Sequence, residues 1–343
     1  MNTADNPSHD LAAWIERAAS VAELAAAAAR IDDLVARWHH DGTPIDRIAG
    51  EVSRLNTRLF SRLWSLLTPA ELVDNSCLIV MGSEGRREQI LKTDQDNALL
   101  LRDGVDSASS GEVAGRFSQA LSELGYPPCP GGIMLSNPLW RQPLAAFRDA
   151  LRDWLYGADP EGPLRLAIFL DAAPVAGDAG LLREARAYLD RIFANNDALL
   201  ARFAAPADQF DEDGSWWSRF TTRRDDRALD LKKLGTFPIV HGVRTLALQH
   251  RVPALGTAQR LDALVERGAL DAALARELVA ALHTLMALKL DHQLRQREQG
   301  RPADNLLRPA ALPSAQREQL KNALTAVRRF RAFLRRHFKL DAL

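Results

Sequence analysis

The sequence predicts an α+β fold: a small mixed β-sheet with flanking helices, set between an N-terminal helical arm and a C-terminal helical bundle. Three observations predict it. Apolar residues recur at three- and four-residue steps toward both ends of the chain, the period of one helical face. Between residues 77 and 171 that pattern gives way to short, continuous apolar runs of the kind buried strands show. After Gly180 strand signals stop, and helical periodicity resumes between glycine and proline breakers. The expected division is a helical region over 1–70, an α/β unit over 71–180 and a helical domain over 181–343.

Each element follows in order. Leu11, Trp14, Ile15, Ala18, Val21 and Leu24 mark helix in the arm. Pro44 stands near the start of a further helix, whose stripe is Ile48, Val52, Leu55, Leu59 and Leu63. Cys77–Met81 is an apolar run ending in Gly82-Ser83, a buried strand and a turn. Residues 94–101 read as a second strand, and 164–171 as a third that closes on Asp171. Helices are expected around 111–124 and 143–156, with a loop rich in proline and glycine over 126–138. Helical segments are expected near 181–204, 226–250, 257–267, 271–297 and 315–337, with breakers that include Pro206, Gly214, Pro253, Gly268, Gly300 and Pro313. Trp216-Trp217 reads as a packing element between helices.

A chain of 343 residues can bury a proper core and hold two or three domains. Its 44 basic residues balance 44 acidic ones, which argues against a surface dominated by nucleic-acid or membrane electrostatics. Two cysteines, Cys77 and Cys129, exclude a disulfide framework and offer no CxxC zinc spacing. The scattered histidines show none either. The first residues do not read as a leader, and no apolar run approaches the ~20 residues of a membrane helix. A cytoplasmic protein with no membrane partner is expected. Arg328, Arg329, Arg331, Arg335, Arg336 and Lys339 make the C-terminal region locally basic. Beside the apolar side of Val327, Phe330, Leu334 and Phe338, they read as the solvated face of a helix, with RNA binding as the sharper alternative.

The chemistry is concentrated in 79–101, IVMGSEGRREQILKTDQDNALLL. On an extended segment, residues i and i+2 share a face and lie about 6.6 Å apart. Asp94 and Asp96 therefore point together while Gln95 faces away. Two carboxylates on one face repel unless a cation joins them, and carboxylates suit hard Mg²⁺. Upstream, Gly82 lets the backbone approach an anion closely, Ser83 brings a hydroxyl, and Arg86 or Arg87 brings a guanidinium fork for phosphate oxygens. Acid-pair metal sites beside phosphate-binding turns serve phosphoryl and nucleotidyl transfer, which needs charge neutralisation more than covalent help.

This segment resembles the signature of the polymerase-β-like nucleotidyltransferase superfamily, and is most similar to the bacterial signal-transduction nucleotidyltransferases related to the uridylyltransferase of the PII protein. CPGGIMLSNPLWRQPL at 129–144, FLDAAPVAGD at 169–178 and LDLKKLGTFPIVHGVRTLAL at 229–248 extend the resemblance over most of 45–300. It implies a catalytic domain over 71–180 and a substrate-binding domain after it. It implies Asp171 as the third metal carboxylate beside Asp94 and Asp96. An acid closing a buried apolar strand also suits a site better than a core. Gly82, Ser83 and Arg86 would hold the β- and γ-phosphates, and Lys232 matches a lysine that approaches the nucleotide. The cofactor implied is Mg²⁺, two ions, with Mn²⁺ as an alternative. The reaction implied is NMP transfer from an NTP to an acceptor hydroxyl, on a regulatory protein, with pyrophosphate release. Two departures stand out: Leu234-Gly235-Thr236-Phe237 replaces a Gly-Gly and Arg stretch, and Ala173 stands where an arginine is expected. They favour the first alternative, a silent nucleotide-sensing module; an RNA-end transferase is the second, because some members of the superfamily act on RNA ends.

Overall fold

The computed structural model describes residues 7–105, 107–193, 197–208 and 228–342; Gly214 and the Trp216-Trp217 packing element lie outside them. The chain forms two compact units, Met1–Ile192 and Phe193–Leu343.

The first unit begins with three helices: α1 (Pro7–Arg17), α2 (Val21–His40) and α3 (Ile45–Leu67), packed on one another. Ser20 caps α2 by accepting from Glu23 N at 3.2 Å, and Glu23 Oε2 reaches back to Ala19 N at 2.9 Å. That reciprocal exchange fixes where the helix starts. Pro44 is the N-cap of α3, and Ile48, Val52, Leu55, Leu59 and Leu63 form its buried stripe.

A one-turn helix, α4 (Ala70–Asp74), leads into β1 (Ser76–Val80). β2 (Asn97–Leu101) pairs antiparallel with β1, and every residue of both is buried. The four-stranded sheet has the order β3-β2-β1-β4, with β3 (Arg141–Pro143) parallel to β2 and β4 (Ala173–Gly177) antiparallel to β1. It is thus a mixed sheet in a mostly helical α+β fold, as the sequence predicts. The helices α6 (Ser107–Glu123), α7 (Leu144–Tyr156), α8 (Gly162–Phe169) and α9 (Ala179–Ile192) complete the unit. Contacts from α7 and α9 cover the apolar strands, which is why those strands read as unbroken runs.

The sheet also corrects the sequence reading. Residues 164–171 are not a strand: Gly162–Phe169 is helix α8, with Pro163 in its first turn. Leu166 and Phe169 are buried one turn apart, and the Phe169 ring meets Phe147 of α7 at 5.0 Å. The apolar run over 166–170 is too short to carry a decisive period, and here the proline start signal outweighs the strand reading. The second strand is also shorter than expected, beginning at Asn97 rather than residue 94. The two strands that went unread, β3 and β4, are edges of three and five residues that each contain proline.

The second unit is helical. Phe237–Gln249, Thr257–Glu266, Ala272–Glu298 and Ser314–His337 follow the expected segments, and the last two pack along each other. A two-residue pair, Leu229–Asp230 with Leu306–Leu307, is a strand contact the sequence did not announce. In the basic helix Val327, Phe330 and Leu334 are buried, Arg335 grips Asp208 through Nε at 2.9 Å and Nη2 at 2.8 Å, and Arg329 pairs with Glu277. Among the described residues, no helix is long and apolar enough to cross a membrane.

Candidate nucleotide and metal site

The site is built where β1 ends. One residue past the strand, Met81 N donates to Asp96 O at 2.9 Å, so the antiparallel pairing holds the two chains together beyond the ladder. The chain then turns through the short helix α5 (Gly82–Gly85). Gly82 has φ +59, and a Cβ there would lie 2.6 Å from Asp96 Oδ2. A Cβ on Gly85 would lie 1.9 Å from Asp171 O. Both glycines are therefore required for close approach, and Gly82 for its left-handed backbone as well.

The second wall is Asp94-Gln95-Asp96. Its backbone is extended between the turn and the loop 127–133: Gln95 N donates to Pro127 O at 2.9 Å, and Asn97 N to Ile133 O at 3.1 Å. Gln95 faces inward, buried, with Nε2 donating to Tyr126 O at 2.9 Å and Ser118 O at 3.0 Å. Asp94 and Asp96 thus share the opposite side. Their carboxylates and the Cys129 thiol form a group whose ligand atoms all lie within 4.8 Å of one another. Asp94 is exposed, Asp96 half-buried and Cys129 buried. Burial raises the Cys129 pKa, and the charges of Asp96 and Asp94 add to the rise. Two carboxylates and a thiol are a chemically suitable donor set for a divalent cation.

With that geometry in view, residues 29–161 match the family described as "Putative nucleotidyltransferase DUF294", and residues 197–338 match the "Putative nucleotidyltransferase substrate binding domain". Together the two matches place most of the chain in the family described as "Putative nucleotidyltransferase DUF294" and the C-terminal domain that accompanies it. A search of the curated proteins found no match.

The other residues expected at the site of this DUF294 chain are distributed as follows. Ser83 lies on α5, where its Oγ donates to Gln89 Oε1 at 2.9 Å. Arg86 is the inward member of the arginine pair, and it turns to carboxylates: Nη1 donates to Asp171 Oδ2 at 2.6 Å and Nε to Glu88 Oε2 at 2.7 Å. Burial works against the Arg86 charge, but Glu88 and Asp171 more than offset it and hold the guanidinium protonated. Asp171 follows α8 rather than a strand, is fully buried, and lies outside the Asp94–Asp96–Cys129 group. Lys232 belongs to the second unit, where it is exposed at the start of a short π-helical turn (Lys232–Thr236); Asp230 Oδ1 accepts from its backbone N at 2.9 Å.

Sequence reasoning missed two features beside the acid pair. One is Cys129, which the sequence places only within the loop rich in proline and glycine over 126–138. The other is a buried polar chain behind the turn: Tyr126 OH donates to Asn56 Oδ1 at 2.8 Å, and Asn56 Nδ2 donates to Glu84 Oε2 at 3.0 Å. Burial pushes the Glu84 carboxyl up to about 7 against the pull of Asn56. Glu84 lines a cavity of about 20 Å³ shared with Gln89, Asp94, Gln95, Asp96 and Tyr126. No spacing rule in the sequence signals an acid that belongs beneath a phosphate turn, because its partner Asn56 lies on α3, 28 positions away.

Proposed function

We propose that this chain transfers a nucleoside monophosphate from an NTP to an acceptor hydroxyl on a regulatory protein, in a Mg²⁺-dependent reaction. The acceptor oxygen bonds to the α-phosphorus, the bond to the β-phosphate oxygen breaks, pyrophosphate leaves, and the hydroxyl proton passes to solvent or a base. The observation that carries the reading is the convergence of the Asp94 and Asp96 carboxylates beside the Gly82 turn.

Asp94, Asp96 and their surroundings would hold the cation, which when bound neutralises charge on phosphate oxygens and orients them. Gly82 opens the first turn of α5, whose leading N–H groups have no carbonyl one turn back and suit phosphate oxygens. Ser83 adds a hydroxyl steadied by Gln89. In this reading Arg86 and Asp171 act together: their buried ion pair ties α5 to the segment before β4 and sets the position of the turn. Lys232 would contact the nucleotide, as the resemblance implies.

Pyrophosphate release, measured with each NTP and Mg²⁺ in the presence of total cell protein or total RNA, tests the reading. We expect label from one NTP in protein, lost in Asp94→Asn/Asp96→Asn. Tight NTP binding with no product from either pool defeats the proposal in favour of a sensor, and label in RNA alone defeats the protein acceptor.

A further inference from the structure

Beside the two acids stands a group of different chemistry. Cys129 Sγ lies within 4.8 Å of the Asp94 and Asp96 ligand atoms, so one small divalent cation can touch all three. The loop is stitched into place: Gly132 N donates to Cys129 O at 2.9 Å, while Gln95 N and Asn97 N tie the acid segment to Pro127 and Ile133. The thiol is thus held against the carboxylates by the same bonds that extend the acid segment. A second observation points to a ligand there. Glu84 Oε1 is buried without a hydrogen-bond partner among the described residues, in the cavity that Asp94 and Asp96 also line. Water bound to a cation at that rim would supply the missing partner.

We propose that Cys129 is the third protein ligand when Asp94 and Asp96 hold a cation that accepts sulfur. This rests on the reading that those carboxylates bind a divalent cation. On binding, the S–H bond is replaced by a sulfur–metal bond and the proton leaves to solvent. A carboxylate–thiolate set favours cations that accept sulfur, such as Co²⁺, Zn²⁺ and Cd²⁺, over Mg²⁺. The site would therefore run with Mg²⁺ and be seized by trace soft metals.

Cd²⁺ titration of the full chain under a non-thiol reductant tests this, because a cadmium–thiolate bond has its own ultraviolet charge-transfer absorption. We expect a band that saturates at one equivalent, and its disappearance in Cys129→Ser and in Asp94→Asn/Asp96→Asn. In Cys129→Ser, Cd²⁺ binding should weaken at least about tenfold while Mg²⁺ binding changes by less than about threefold. Cys77, fully buried in β1, is the internal control. Should Cys129→Ser fold poorly, alkylation of the wild-type chain read by mass spectrometry assigns the thiol: Cd²⁺ must protect Cys129. Divalent binding that depends on Asp94 and Asp96 but gives no thiolate band overturns the inference and leaves the transferase reading standing. No divalent binding of any kind overturns both.

Discussion

Gly82→Ala isolates the contact on which the site depends. The perturbation adds one carbon, and the structure fixes where it goes: 2.6 Å from Asp96 Oδ2, on a residue with φ +59. The backbone alone costs about 1–2 kcal/mol, because an L side chain in the left-handed region crowds the following carbonyl. Reaching the ~3.5 Å of ordinary non-bonded contact requires the Asp96 carboxylate to retreat by roughly 0.9 Å. Backbone retreat is opposed by the Met81 N to Asp96 O bond at 2.9 Å, so the side chain must rotate out of its present position. A misplacement of about 1 Å in a reacting constellation costs on the order of 10²-fold in rate. The expected variant is folded, 1–2 kcal/mol less stable in urea unfolding, about 100-fold slower in pyrophosphate release, and clearly weaker for Mn²⁺ by calorimetry. Calorimetry needs no acceptor and so reads the metal site directly. A variant that loses the stability but keeps wild-type Mn²⁺ affinity and turnover refutes the reasoning, because the Gly82–Asp96 contact would then be packing alone.

Further outcomes follow from the same geometry. Asp94→Asn with Asp96→Asn should abolish turnover and Mn²⁺ binding while thermal unfolding stays within a few degrees of wild type. Asp171→Asn should act on stability first: it leaves Arg86 buried and short of one partner, a loss of about 3 kcal/mol or more for breaking a buried pair, measured by urea unfolding. A variant at wild-type stability that still loses metal would return Asp171 to the role of ligand. Glu84 predicts a pH dependence. Its folded pKa is raised, from 4.5 to about 7, so the fold favours the protonated form. That stability is fully present below pH 4.5 and is lost as pH rises through about 7. Glu84→Gln should therefore gain up to ~3 kcal/mol over wild type at pH 8 and almost nothing at pH 4.5, in urea unfolding followed across pH. Equal differences at both pH values would contradict a buried, mostly protonated carboxyl.

The parts of this molecule that were legible in its sequence are those where one local pattern has one physical solution. The α3 stripe could only be a helix, because its period states that one face is buried, and the two runs that became β1 and β2 were fixed as strands by what adjoins them, the Gly82-Ser83 turn after one and the Asp94–Asp96 alternation before the other. Asp94 and Asp96 were legible for the same reason: alternation with an inward Gln95 is a property of extended chain, whether or not a ladder forms there. Residues 164–171 were not legible, since a short apolar run satisfies helix and strand alike, and only packing against α7 decides between them. The same limit explains the residues around the acids. Arg86 could face phosphate or carboxylate on local grounds, and its choice is set by Asp171, 85 positions away. Cys129 reaches the acids through a loop whose register is fixed by backbone bonds to Gln95 and Asn97, invisible to any spacing rule. What the sequence encodes locally is the chemistry of the acid pair; what it encodes only through tertiary contacts is which neighbours tune that chemistry. On the proposed reading, a thiol and a buried carboxyl that share the surroundings of the two acids make metal choice and pH response properties of the fold, to be varied at Cys129 and Glu84 without touching the acids themselves.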